Sequence, residues 1–422
     1  MEQMGLRAIR FGTTLAAIGL AGLGAIRAES AYKLANGVVR SSAQKGAKEA
    51  YLQMIVNSGH AANLLVLPNG DTLLTYYAGI YERGSGESIV LSRLPKGSNR
   101  WTEPVVVSYH ADWANQNPLL FLAPDKTIWL FHTTQRGGHD QTKDIVYALK
   151  STDQGHTWGE PTTVFPQPGL YTRQPVVVFQ NQWLFPVYHS AGGSITSNAQ
   201  KDHSYVEVSS DAGATWKECD VAGSGGFVQK NIVPVSTHLV AFFRSRYADW
   251  IYKSESNDGC NWTTPQATQL PNNNASIQAI ALKNGHLAMI FNNTQAELKP
   301  EHADTGSRRI LSLAVSEDGG KTWPWIRDIE NPTISEPILP LEDAEYSYPS
   351  IVQSTDSMIH VAYTFRRETI KYMTFSEDWI KHGTTVGGKP EDARHEGVAQ
   401  LQAPSGPVHR STANLPMQSN GF

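Results

Sequence analysis

Histidine, arginine and tyrosine side chains at the ends of short apolar runs are the groups in this chain best suited to chemistry. His60 heads the apolar run 62–67, and an imidazole that titrates near neutral pH serves as general base or acid. Arg173 stands in Thr172-Arg173-Gln174-Pro175 at the head of another run, and Arg244 and Arg246 close Phe242-Phe243-Arg244-Ser245-Arg246. A guanidinium fork takes a carboxylate through two parallel hydrogen bonds; of the last two arginines, Arg244 is expected to face inward. Tyr188-His189 ends a further run and offers a proton donor, Asn117 and Gln278 carry amides suited to sugar hydroxyls, and Asp112-Trp113 sets an acid beside an aromatic platform. Each has a plainer reading as well: a hydrogen-bonded structural histidine, a surface ion pair, a solvated amide. No pair of carboxylates can be picked out as the two that glycosidases commonly place across a scissile bond. Phosphate loops, a serine nucleophile elbow and zinc-type Cys/His spacing are missing from the sequence, so no metal or cofactor is called for.

These residues need a scaffold, and a repeat supplies it. Ser151–Trp158, Ser209–Trp216 and Ser316–Trp323 follow the pattern S-x-D-x-G-x-T-W; Ser256–Trp262 is a shortened copy and Gly97–Trp101 a worn one. The closing tryptophans recur at roughly 45–60 residues, the length of one propeller blade. The Asp and Ser side chains can hold a tight turn through backbone N–H groups, the Gly admits positive φ, and the Trp is an apolar plate that can lock the turn onto its sheet. Asp153, Asp211, Asp258 and Asp318 therefore read as fold elements. Between boxes the same order of strand, turn and strand recurs, giving six units from residue 51 to 382. Each unit is a small antiparallel sheet that needs neighbours to cover it, so the expected fold is all-β, a six-bladed β-propeller. Tyr51–Val56 is expected to close the ring. Loops on the rim opposite the boxes should carry function.

The remaining segments differ in kind. Arg7 and Arg10 precede an apolar run from Phe11 to Ile26, with Ala28 as a small residue at a cleavage point, so 1–28 reads as a secretory signal. An uncleaved N-terminal anchor is the alternative, and a secreted or periplasmic location follows. Residues 29–50 are expected to be an N-terminal arm and 383–422, polar and without periodicity, a disordered tail. A formal charge of −4 gives no basic field for nucleic acid. Cys219 and Cys260 are the only cysteines; both lie near box turns, and the sequence leaves their pairing open.

The boxes, Ser307-Arg308-Arg309, and Glu345-Tyr346-Ser347 occur in the order found in sialidases, and residues 51–376 resemble that family. The resemblance implies that Arg308 (or Arg309) binds a substrate carboxylate and that Tyr346 is the nucleophile. Sialidases are exceptions to the two-carboxylate rule. Where sialidases open with an aromatic-Arg-Ile-Pro motif this chain has His60-Ala61-Ala62-Asn63; the strand of the activating glutamate reads Ala279-Ile280-Ala281-Leu282, and Asn292-Asn293-Thr294 stands where a further arginine is found. His60, Asn117-Pro118 and Tyr346-Ser347-Tyr348-Pro349 are similar instead to a sialidase-like group of undefined activity, which places Tyr348 among the binding residues. The resulting expectation is an exported exo-glycosidase that removes a terminal acidic sugar. Catalytic residues would be Tyr346, His60 and Asp112; binding residues would be Arg308, Arg244, Arg173, Asn117, His189, Gln278 and Tyr348. A uronate-directed lyase using His, Tyr and Arg is the second expectation, and a non-catalytic glycan-binding propeller the third.

Overall fold

The computed structural model describes residues 34–56, 58–80, 82–136, 141–192, 199–296, 306–335 and 345–387. The expected signal segment 1–28 and most of the expected tail lie outside them. The described chain forms six antiparallel sheets. The first blade holds Ser58–Val66, Thr72–Gly79, Ser88–Leu94 and Val105–Ser108 from inside to outside, and the next four repeat this order. In the third blade the inner strand is split into Leu170–Thr172 and Val177–Phe179.

The sixth blade is assembled from both ends of the sequence. Tyr346–Gln353, Ile359–Phe365 and Thr369–Phe375 supply three strands, and Lys48–Tyr51 pairs with the third of them from Lys48↔Thr374 to Tyr51↔Lys371. The closing strand thus begins earlier than Tyr51, and part of the expected arm belongs to the sheet. This also accounts for the missing sixth box. A box joins a third strand to the fourth strand that follows it, and here the fourth strand precedes the first by some 300 residues of chain.

Strand pleat puts alternate side chains on opposite faces, and each face meets the neighbouring blade. The core is accordingly divided, with one apolar cluster in each of the six seams between blades. Hydrogen bonds stitch the seams near the axis. Leu120 N donates to Asn63 Oδ1 (2.8 Å), Ala279 N to Asn231 Oδ1 (2.6 Å), Ile351 N to Gln278 Oε1 (2.8 Å) and Leu64 N to Ser350 Oγ (3.0 Å). In each, an inner-strand side chain accepts from the inner strand of the next blade.

The boxes do more than turn the chain. Asp318 Oδ1 accepts from the N–H groups of Lys321 and Thr322, its Oδ2 from the Thr322 hydroxyl (2.6 Å), and Ser316 Oγ accepts from Gly320 N. Gly320, at φ +80°, lies so close to the preceding blade that a Cβ would stand 2.8 Å from the Phe242 ring. Trp323 meets that same ring edge-on at 5.7 Å. Gly259 approaches Leu184 and Gly155 approaches Leu73 in the same sense. The tryptophan was expected to lock its own sheet; the box instead clamps one blade onto the blade before it. Cys219 and Cys260, in the third and fourth blades, form a disulfide with Cα atoms 5.2 Å apart. Among the described residues no helix is long and apolar enough to cross a membrane.

Candidate active site

Four inner strands carry the same irregularity. Register shifts fall between His60 and Asn63, Gln116 and Leu119, Val228 and Asn231, and Ser347 and Ser350. In each the extra residues begin with one at positive φ: Ala61 (59°), Asn117 (50°), Gln229 (52°) and Tyr348 (49°). In the fifth blade Asn274 takes φ 59° ahead of the inner strand. A β-bulge re-aims a side chain out of the alternating pattern. Non-glycine residues at such φ values cost energy, and they cluster where function needs them.

Two of the bulge residues and Asn274 meet on one guanidinium. Arg244 Nε donates to Asn274 Oδ1 (2.8 Å), and its Nη1 donates to Gln229 Oε1 (3.3 Å) and to the Tyr348 hydroxyl (2.7 Å). Arg244 is 3% exposed, and none of these three partners is a carboxylate. Arg308 sits 5.5 Å from the centre of the Tyr348 ring. Burial alone would push the Tyr348 phenol up, but the charges of Arg244 and then Arg308 outweigh it and bring it down to about 7.

His60 packs its ring on the same tyrosine, with centroids 4.2 Å apart. The Thr364 hydroxyl meets His60 Nδ1 at 2.7 Å, while Nε2 has no partner among the described residues. Burial first, then Arg367, Arg308, Arg173 and Arg244, holds this imidazole well below its usual range, so it is neutral at physiological pH. Glu345 braces the arginines. Its Oε1 accepts from Arg308 Nη1 (2.7 Å) and the Ser347 hydroxyl, and its Oε2 accepts from Arg367 Nε (2.9 Å). Burial opposes ionisation of Glu345, yet Arg308 and Arg367 hold it at about 2. Arg367 also reaches Glu82 (2.8 Å).

The other expected residues are placed as follows. Tyr346 does not face the axis. Its ring is 1% exposed in the seam between the fifth and sixth blades, 5.2 Å from Phe365. Arg173 Nη2 donates to the carbonyls of Ala62, Tyr348 and Pro349 at 2.9–3.1 Å, which ties three blades together and gives it a place in closing the hub. Gln278 holds the seam with Ile351 described above. Asn117 is buried on the bulge of the second blade's inner strand. His189 turns to the outer part of its blade, against Tyr205 and Glu218. Asp112 is exposed on a loop, and the Trp113 beside it stacks on His110. The structure therefore gathers His60, Arg244, Arg308 and Tyr348, with Arg173 adjoining, and leaves Tyr346, His189 and Asp112 elsewhere.

Sequence reasoning passed over Glu345, Arg367, Gln229, Asn274 and Tyr77. Arg367 was visible only as half of an Arg-Arg pair after a strand, which equally suits a solvated surface. Away from the axis, ligand atoms of His286, Glu317 and Glu377 come within 4.8 Å of one another. Lys381 Nζ bonds both carboxylates, at 2.6 and 2.8 Å, which makes this group an ion-pair network on the box rim.

With this geometry in hand, comparison with known proteins places the chain. The BNR repeat-like domain family matches residues 70–361, well over half of the sequence. The chain belongs to that family. No curated protein sequence matches it. Among solved structures, a Hadza microbial sialidase superposes with a TM-score of 0.60 at 18% identity, covering 76% of this chain and 66% of its own. This propeller thus spans just under two thirds of that sialidase. The intramolecular trans-sialidase of Ruminococcus gnavus gives 0.61 at 14% identity, covering 78% and 96%. A protein of unknown function from Dyadobacter fermentans gives 0.59 at 18%, covering 78% and 99%. At such identities the likeness establishes the fold: this BNR repeat-like protein is a sialidase-like six-bladed propeller.

Proposed function

We propose that the axial group is the active centre of an exported carbohydrate-active enzyme, a sialidase-like exo-glycoside hydrolase that removes a terminal acidic sugar. The observation that carries this reading is Arg244, a buried cation whose hydrogen-bond partners are two amides and the Tyr348 hydroxyl, with no carboxylate among them. A buried charge without a counter-charge is costly. A sugar carboxylate at the mouth of the site, together with an ionised Tyr348, supplies it. Arg244 and Arg308 would hold the acid, and Tyr348, in place of Tyr346, would attack the anomeric carbon. A phenolate spreads its charge over the ring and meets less repulsion from the neighbouring substrate carboxylate than a second carboxylate would. His60, with its free Nε2, would assist proton transfer. The disulfide supports export, since such bridges persist in oxidising compartments. The structural likeness to a solved sialidase and a trans-sialidase supports the glycoside-processing class.

One observation favours a second reading. Among the described residues no carboxylate is hydrogen-bonded to the Tyr348 hydroxyl, whereas two arginines and a neutral imidazole surround it. That setting also suits a uronate lyase. An arginine would acidify the proton beside the carboxylate, and Tyr348 or His60 would remove it. Incubation with a panel of acidic glycans, followed by chromatography of the products, separates the cases. A released acidic monosaccharide supports the hydrolase. An unsaturated, ultraviolet-absorbing product replaces it with the lyase. Glycan binding without turnover sinks both.

A further inference from the structure

Three buried polar atoms beside Tyr348 lack a hydrogen-bond partner among the described residues: Arg173 Nε, His60 Nε2 and the Tyr77 hydroxyl. His60 and Tyr77 are direct cross-strand partners in the first blade, and their rings meet edge-on with centroids 5.5 Å apart. Tyr77 is 4% exposed. A buried hydroxyl that bonds nothing forfeits its hydration, and phenylalanine would fill the same space without that cost. The surroundings are charged. Burial first, and then Glu82, keeps the proton on this phenol far above neutral pH, while Arg367, Glu87 and Tyr348 also act on it. Tyr77 thus brings a protonated, unengaged donor next to the imidazole that stacks on the proposed nucleophile.

We propose that Tyr77 is a catalytic residue of the axial site, the general acid that protonates the glycosidic oxygen as the leaving group departs. This rests on the hydrolase reading above. In the first step the Tyr348 phenolate oxygen bonds to the anomeric carbon. The bond from that carbon to the glycosidic oxygen breaks, its electron pair stays with the oxygen, and the oxygen takes the Tyr77 proton. In the second step water attacks the anomeric carbon and gives a proton to the Tyr77 phenolate, and Tyr348 leaves as phenolate. Both tyrosines return to their starting states, and one water has been added.

The test compares wild type and Tyr77→Phe on two substrates that share one acidic sugar, drawn from glucuronide, galacturonide and N-acetylneuraminide sets. One substrate carries a 4-methylumbelliferyl leaving group and the other a sugar. Methylumbelliferol departs with little need of protonation. The expected result is a loss in kcat/KM of about 100-fold or more on the sugar leaving group, and a loss at least about ten times smaller on the aryl one. The thermal midpoint should not fall, because the deleted hydroxyl has no partner among the described residues. Equal losses on both substrates, or none, overturn the role of Tyr77. Glu87→Gln is measured in parallel, because the Glu87 carboxyl, pushed up to about 8 by burial and by Glu82, is the rival proton donor. A leaving-group-selective loss in that variant alone also overturns the proposal. If wild type hydrolyses neither substrate in any of the sets, the hydrolase reading itself falls and takes this role with it.

Discussion

One residue separates the tyrosine expected to react from the one that the geometry offers. Tyr346 and Tyr348 flank one serine, and either could have been the axial phenol. The bulge at Ser347–Ser350 decides, because it lifts Tyr348 onto Arg244 while Tyr346 stays in the seam. Tyr348→Phe should therefore lower kcat by about 1,000-fold or more, and Tyr346→Phe by less than about tenfold; steady-state kinetics of the two variants check this. The ionisation of Tyr348 sets the pH dependence. Its folded pKa is depressed to about 7, so activity that needs the phenolate should rise with pH through that value. Arg244→Gln removes the largest lowering influence, and the alkaline-going limb of the kcat/KM profile should move to higher pH. His60 is neutral throughout this range and should add no limb between about pH 6 and 8.

At the scale of elements, bulge and box occupy opposite ends of the blades that carry both and do opposite things. The bulge breaks strand alternation to aim a side chain at the axis, and the box fixes one blade on another. Gly320→Ala should lower stability by about 1–3 kcal/mol, since it combines a positive φ with a Cβ 2.8 Å from the Phe242 ring. The shift in denaturant midpoint measures it. The boxes also bear on acid stability. The Thr215 hydroxyl and N–H, with the Ser209 hydroxyl, lower the pKa of Asp211 from 3.8 to about 2. A depressed carboxylate stabilises the fold above its unfolded pKa, and that contribution disappears as pH falls through the folded value. Unfolding monitored from pH 5 to 2 should show this loss, and Asp211→Asn should flatten it. The boxes were legible because their function is local: each hydrogen bond within one spans at most four residues.

The whole molecule is a closed ring, and closure depends on one buried ionic group. Lys371 Nζ lies 2.6 Å from Glu330 of the fifth blade and 3.4 Å from Glu49 of the closing strand. Glu330 is fully buried, and the Tyr363 hydroxyl also donates to it. Lys371→Met would remove the cation beside the buried Glu330 and should cost about 3–5 kcal/mol in chemical denaturation. The Cys219–Cys260 bridge spans 41 residues between two blades. Its reduction should lower stability by about 2–4 kcal/mol, read as a lower thermal midpoint in reductant.

Repeat length, turn chemistry and apolar alternation determined the blade count and the ring, because each depends on residues close together in the chain. The arginines, histidines and tyrosines at strand ends, with Asp112 on its loop, were candidates for chemistry because of their residue types alone. The tertiary structure decided which of them meet. A bulge shifts the side-chain alternation by a residue, and whether a strand bulges depends on neighbours hundreds of positions away: Tyr348 reaches Arg244 across 104 residues, and His60 finds Thr364 across 304. A periodicity of two or of fifty is written along the chain. The meeting of six strand ends on one axis exists only once the ring has closed.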